Sequence, residues 1–402
     1  MLFRQTLNDE LEKKSEEFLR FISEYTSDVD VYLEGLAQFE KTPLADIRSR
    51  LSAGDGSPAA IPSDEISGGS FTVRFDSVWE NHEQARGWAS DVLDQRVSFA
   101  ADGSQIYTGK ETLVPIAAVQ IGWFENPHDL DSFYEKNAKF QLLTPADLLA
   151  EWEEPMNPDI RVEAARYLGE VERLGEFLRK KAGWRSRGER MPLAFFDNPL
   201  LVPFSQKGLQ KKFLDATVRL VQQSRECEVP LVGYVDRSYS RDILSMLEAF
   251  TGSEKKKASA VFDASVLRGR KKDGCRALNV WGDRTCFCYS TRRGLEAFLD
   301  ASTGESSVGF TYLQTTAESA PARLDIPSWI HEQGLLDEVV DVVRAECVVG
   351  LGYPYVLETA DQAAVISTRD REVFFRALQE LTTREKLDFS VARKDASKQR
   401  RR

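Results

Sequence analysis

The chain has 402 residues, 42% of them hydrophobic and 29% charged, with a formal net charge of −11; this suits a globular protein of one large domain with appendages, or of two domains. No apolar run approaches the roughly 20 residues of a membrane span, and the acidic amphipathic N-terminus is unlike a signal peptide, so a cytoplasmic location without membrane attachment is expected. Five cysteines without a CxxC pair and only three histidines argue against a disulfide framework, a zinc knuckle or a His-rich metal site, while the negative charge argues against a surface that coats nucleic acid throughout.

Apolar residues from Leu7 to Phe39 recur mostly every three or four positions, which predicts two helices within residues 5–50. Gly, Ser and Pro enrichment from residue 52 to Gly69 predicts a linker. A helix is expected over 76–95, leading into Val97-Ser-Phe-Ala-Ala-Asp102-Gly-Ser-Gln-Ile106, a strand that hands Asp102 to an Asp-Gly-Ser turn. That turn either holds a carboxylate at a site rim or simply joins two hairpin strands. Residues 111–124 read as a second buried strand, with Tyr134 to Leu143 extending or pairing with it. From Asn157 to Lys181 the pattern is helical. Glu170 lies three residues from Tyr167 and four from Leu174, beside the apolar face, where a carboxylate needs a partner, a metal or a wet cleft.

Met191 to Pro199 is the next strand to end in an acid, Asp197. A helix over 209–228 and a strand from Val229 to Asp236 complete a βαβ unit, which implies parallel strands whose carboxyl ends share one edge, the usual place for a ligand site. Helix with a lysine-rich break is expected over 240–270, strands over 276–291 and 307–314, and a helix over 327–349. A turn then leads into a helix with Leu357, Ala360, Ala364 and Val365 inward and Asp361 close to that face. The polar tail from Arg384 is expected to fray. Cys286 and Cys288 alternate as on a strand and fall on one face, where packing is their expected role.

Carboxylates at strand ends and inward helix faces, with so little histidine, point to oxygen-ligated Mg²⁺ or Mn²⁺. Two such ions about 3.5–4 Å apart suit phosphodiester cleavage. Asp102, Glu170, Asp197 and Asp361 are the candidate ligands; the same residues also serve ordinary turns and caps. Positive charge gathers in Lys255-Lys256-Lys257, around Arg268 to Lys272 and in the tail Lys398 to Arg402, as solvated segments or as phosphate contacts.

Phe99-Ala-Ala-Asp102-Gly-Ser, Phe195-Phe-Asp197-Asn-Pro-Leu, Gly233-Tyr-Val-Asp236-Arg-Ser and Tyr353-Pro-Tyr-Val-Leu-Glu-Thr-Ala-Asp361, in that order, resemble the motifs of the NurA nucleases over roughly residues 95–370. The resemblance implies an α/β, RNase H-like mixed sheet flanked by helices, here with an N-terminal helical extension. It also implies a homodimer, Mn²⁺ or Mg²⁺ dependence, and work beside a HerA-type hexameric translocase. The implied activity is 5′–3′ exonuclease and endonuclease cleavage of single- and double-stranded DNA, resecting ends for double-strand break repair. Asp102 and Asp197 match the family's metal-binding aspartates, Glu170 its helix glutamate with Glu176 as the alternative, and Tyr353 a tyrosine near the site. Asp361 stands where many members have histidine, Asn198-Pro199 replaces the usual Gly-Ser, and Asp236-Arg237 stands where relatives often place lysine. Arg237, Arg241 and the Lys255 cluster are the expected DNA contacts, although a structural salt bridge serves Arg237 equally well.

The expected organisation is an N-terminal helical region and linker (1–95), a nuclease domain (96–375) and a polar tail (376–402). Two other readings remain at this stage: a non-catalytic RNase H-like adaptor of a DNA-translocase complex, and a metal-dependent phosphatase or nucleotidase acting on small molecules.

Overall fold

A computed structural model of the chain describes residues 4–53, 58–77, 79–109, 114–149, 157–201, 207–252, 260–269, 277–292, 294–299, 304–317 and 319–385. The Lys255 cluster and the basic tail lie outside these. In chain order come α1 (Arg4–Lys13), α2 (Ser15–Glu40), α3 (Leu44–Ala53), β1 (Ala59–Pro62), β2 (Thr72–Val73), α4 (His82–Leu93), β3 (Ser98–Ile106), β4 (Ala117–Asn126) and β5 (Glu135–Leu143). There follow α5 (Pro145–Leu149), α6 (Pro158–Lys181), β6 (Leu193–Phe196), α7 (Lys207–Cys227), β7 (Leu231–Val235), α8 (Asp242–Thr251) and α9 (Asp263–Arg268). The rest comprises β8 (Arg284–Thr285), β9 (Cys288–Thr291), β10 (Val308–Leu313), β11 (Ala322–Pro327), α10 (Ser328–Glu332), α11 (Leu336–Val349), α12 (Tyr355–Ala364) and α13 (Thr368–Arg384). Among the described residues no helix is long and apolar enough to cross a membrane.

Contacts divide the chain into two compact units, one of residues 1–78 with 235–328 and the other of residues 79–234 with 329–402. Packing is a different criterion from composition, which drew the division at residue 95. In the first unit, Val29, Tyr32, Leu36 and Phe39 of α2 share a core with Ile243, Leu247 and Phe250 of α8 and with Cys286, Cys288 and Phe310. The Phe39 and Phe250 rings meet edge to face at 5.0 Å. Both cysteines are buried in this core, as the alternating Cys-Phe-Cys pattern implied. Arg323 is also buried, held by Asp325 at 2.7 Å and Asp242 at 2.8 Å, because a charge removed from water needs paired, hydrogen-bonded company.

Five strands of the second unit run in the order β7-β6-β3-β4-β5. β3, β4 and β5 form an antiparallel meander, and β6 and β7 add in parallel to β3 through the crossover helix α7. This mixed sheet flanked by helices is the RNase H-like arrangement. α6 begins with Asn157 accepting a hydrogen bond from the Asp159 N–H and Pro158 in its first turn, a pairing that suits a helix start. It buries Val162, Tyr167, Val171, Leu174, Phe177 and Leu178, the spacing of one helix face. Phe177 stacks on Phe99 of β3 with ring centroids 4.5 Å apart, while Tyr167 reaches Thr217 of α7 with a 2.6 Å hydroxyl contact.

α12 lies against β3 and β4. Its approach to the sheet depends on Gly122: a Cβ there would stand 2.3 Å from the Ala364 backbone nitrogen, so only glycine lets helix and strand come this close. Gln120 Nε2 donates to the Ala364 carbonyl at 3.0 Å, and Ser104 Oγ accepts from the Ile366 N–H at 3.4 Å. At the other end of α12, buried Glu346 of α11 accepts from the Val356 N–H at 3.0 Å, satisfying a first-turn donor that the helix itself leaves open.

Several elements differ from the sequence reading. The N-terminal stretch forms three helices, because Lys14 and the Thr42–Pro43 region interrupt the run. Residues 59–62 of the expected linker form strand β1 against β9, with Ala60 and Ile66 buried. The expected Asp-Gly-Ser turn is continuous strand: β3 runs to Ile106, with Asp102 opposite Gly122 and Gly103 opposite Ile121. A full ladder with β4 satisfies the backbone groups that a turn would otherwise redirect. Val365, expected inward, is 51% exposed, since α12 ends at Ala364. The expected 327–349 helix is two helices separated at Gly334, whose φ of 70° is left-handed.

Candidate metal centre

The β3–β6 ladder pairs Ser98 to Ala101 with Leu193 to Phe196 and ends there. The next residue on each strand is an aspartate, Asp102 and Asp197. Here β6 gives way to the exposed Asp197 and leaves a notch beside β3. Successive β3 residues face opposite sides of the sheet, so the notch lets groups from both sides approach one place.

On one side, Gly103 faces α6. A Cβ at Gly103 would lie 2.6 Å from Glu170 Oε1 and 2.5 Å from Arg166 Cγ, so the missing side chain makes the space that Glu170 occupies. Glu170 is fully buried. Its Oε1 accepts from Arg166 Nη1 at 2.7 Å and its Oε2 from Asn198 Nδ2 at 3.2 Å. The alternative, Glu176, is a half-exposed carboxylate paired with Arg173. On the other side Asp361 of α12 lies close enough to Asp102 for its charge to act on that carboxyl.

The electrostatics show that these acids share one neighbourhood. Burial pushes the Asp102 carboxyl up to about 6; the Gly103 N–H works against this, and the negative charges of Asp197 and Asp361 add to it. Burial pushes Glu170 up to about 8, with the Arg166 charge opposing and those of Asp102 and Asp197 reinforcing. Two carboxyls, Asp102 and Glu170, whose ionisation burial and neighbouring acids oppose, form the kind of environment a hard divalent cation relieves. The donor chemistry therefore fits Mg²⁺ or Mn²⁺. Among the described residues, no group of three or more His, Cys, Asp or Glu side chains is arranged to hold a metal ion. Both Glu170 oxygens are engaged, by Arg166 and by Asn198.

The remaining candidates make contacts of their own. Tyr353 is half-buried and packs edge to face on Tyr234 of β7, with centroids 5.2 Å apart. The tight turn before it requires Gly350, where a Cβ would stand 2.0 Å from the Tyr353 carbonyl oxygen. In the first unit Arg237 is 87% exposed and lies 3.9 Å from Asp236. Arg241 donates to the Val261 carbonyl, to Tyr32 at 3.3 Å and to Glu248 at 3.2 Å, which commits its guanidinium to the core of that unit. Two residues with functional bearing were missed in the sequence. Gly103 was read as a turn former, and Arg166 was overlooked although it lies one helical turn before Glu170, the spacing of a helix ion pair.

A family model described as the NurA domain matches residues 96–366. No curated protein matches the chain. Solved structures with similarity include the catalytic domain of human endonuclease V, 15% identical, covering 77% of this chain and 92% of that one with a TM-score of 0.32. A structure of NurA with manganese is 12% identical and covers 76% and 93%, with a TM-score of 0.32. A structure of NurA bound to dAMP and manganese is 10% identical and covers 72% and 88%, with a TM-score of 0.34.

The raised carboxyls set a pH dependence for the metal-free protein. A folded state that holds its protons to higher pH than the unfolded chain loses stability as pH rises. For Asp102 the loss runs from near 3.8 to about 6, and for Glu170 from near 4.5 to about 8. In EDTA, thermal melts from pH 5 to pH 8 should therefore show a falling midpoint, and Asp102→Asn should flatten the slope. A slope identical in wild type and variant would remove Asp102 from the coupled cluster.

Proposed function

Because the chain belongs to the NurA family, we propose that it is a divalent-metal-dependent deoxyribonuclease centred on Asp102, Glu170, Asp197 and Asp361. The observation that carries this reading is geometric: the β3–β6 ladder ends immediately before Asp102 and Asp197, and the bare Cα of Gly103 leaves the space that Glu170 fills. Asp102, Asp197 and Asp361 would hold the metal and Glu170 would complete the set from α6. When bound, Mn²⁺ or Mg²⁺ supplies an activated water and charge stabilisation at the leaving oxygen.

The chain's own residues prepare that chemistry. Gly103 admits Glu170 from one side of the sheet and Gly122 admits α12 from the other, so acids on separate elements meet without long side-chain excursions. Rigid elements hold such groups more closely in place than loops do. With Asp361 in place of histidine, the donors are all oxygen, which favours Mg²⁺ or Mn²⁺ over softer metals. Tyr353, packed against Tyr234, is the residue proposed to position substrate near the site. Exposed Arg237, with Asp236 3.9 Å away, is proposed to meet a backbone phosphate. Arg241 is left out because its guanidinium serves the core.

The fuller reading is a cytoplasmic homodimer that degrades single- and double-stranded DNA by 5′–3′ exonuclease and endonuclease cleavage. It would resect ends for double-strand break repair together with a HerA-type hexameric translocase. Its support is the family membership and the all-carboxylate site.

The direct test is cleavage of end-labelled linear single- and double-stranded DNA with Mn²⁺, Mg²⁺ or EDTA. Activity should appear with either metal and vanish in EDTA. Asp102→Asn should reduce it by more than about 100-fold, since losing even a partner of a metal ligand costs about 10–100-fold. Inactivity of the wild type with both metals and the translocase present would favour the adaptor reading. Light scattering should give a dimer mass and a pull-down should recover a ring ATPase; a monomer, or recovery of metabolic enzymes alone, would remove those parts.

A further inference from the structure

Glu170 is occupied at both oxygens by side chains that flank the acidic cluster. Arg166, one turn earlier on α6, holds Oε1, and Asn198, immediately after Asp197, holds Oε2. The Arg166 stem crosses the same bare Cα of Gly103 that makes room for Glu170. Its Nη1 is thereby placed within the cluster, while its Nε is buried without a hydrogen-bond partner. A buried donor left unsatisfied costs about 1–3 kcal/mol, so the pairing with Glu170 leaves the guanidinium incompletely satisfied. Its side chain is 27% exposed against 1% for Glu170, so Arg166 is the solvent-facing member of the pair.

We infer that Arg166 is a stand-in cation: together with Asn198 it holds Glu170 in a pose closed to the metal, and Glu170 becomes a ligand only once the guanidinium is displaced. This rests on the metal-dependent reading above and adds a positioning residue to it. The consequence is a trade between two cations for one carboxylate. The protein folds around the acidic cluster without metal because Arg166 offsets part of its charge, and divalent-ion affinity is lowered by the same interaction. Asn198, immediately after Asp197, supplies the second restraint.

The test reads metal binding directly, without DNA and without turnover. Mn²⁺ is titrated calorimetrically at pH 8.5 into the full chain carrying Arg166→Met, which keeps the apolar stem over Gly103, or Arg166→Gln, which keeps polarity without charge. A neighbouring charge commonly shifts such equilibria by about one to two orders of magnitude, so either neutral variant should bind Mn²⁺ about tenfold tighter than wild type. Arg166→Lys, which retains the charge, should stay within about twofold of wild type. A melting curve for each variant separates binding from folding. Folded neutral variants that bind Mn²⁺ equally or more weakly would overturn the inference and leave Arg166 as a structural pair. A wild type and neutral variants that all fail to bind Mn²⁺ would overturn the metal-dependent reading itself.

Discussion

Concentrating negative charge is the constraint on which the second unit depends. Asp102, Glu170, Asp197 and Asp361 come from strand β3, the end of β6 and two helices, and each element is held by apolar packing and backbone contacts. Aromatic stacking of Phe99 on Phe177 fixes α6 to β3, and glycine at 122 lets α12 touch β4. Backbone capping by Glu346 starts α12 in the right place. Burial, with the charges of neighbouring acids adding to it, raises the proton affinity of Asp102 and Glu170, a cost that the apolar packing around them offsets. A buried side chain of Leu or Phe size contributes about 1.5–3 kcal/mol, and α6 alone buries several.

Much of this site is legible in the sequence because its acids sit at positions with simple local rules. The inward place of Glu170 follows from its spacing to Tyr167 and Leu174. Asp197 follows from an apolar run that stops, and the parallel sheet from a strand, helix and strand in close succession. Asp102 shows where local rules give out. Asp-Gly is a strong turn signal, yet β3 continues through it, because β4 offers a partner for every backbone group and α6 needs the empty face of Gly103. That requirement comes from a helix far along the chain, and no local window contains it.

The other misreadings have related causes. Strand β11 was not recognised because Arg323 and Asp325 look like solvent-facing residues, whereas they form a buried pair inside the first unit. Arg241 looked like a phosphate contact for the same reason: a charged residue in a loop reads as exposed until the Glu248 and Tyr32 groups that receive it are seen. The N-terminal helices were legible as helices but not as partners of α8, since amphipathic spacing states that a face will be buried without stating against what. Charge inside a fold is the common thread: the candidate acids drew attention because acids at strand ends and inward helix faces suggest chemistry, and the internal ion pairs were missed because paired charges resemble surface.

The most direct measurement of the central claim is an anomalous difference map from crystals of the full chain soaked in Mn²⁺. A peak ligated by Asp102 and Asp197, with Asp361 or Glu170 completing the oxygen set, is the predicted result. Manganese bound only at other carboxylates, with the cluster beside the β3–β6 notch empty at saturating concentration, would contradict the account.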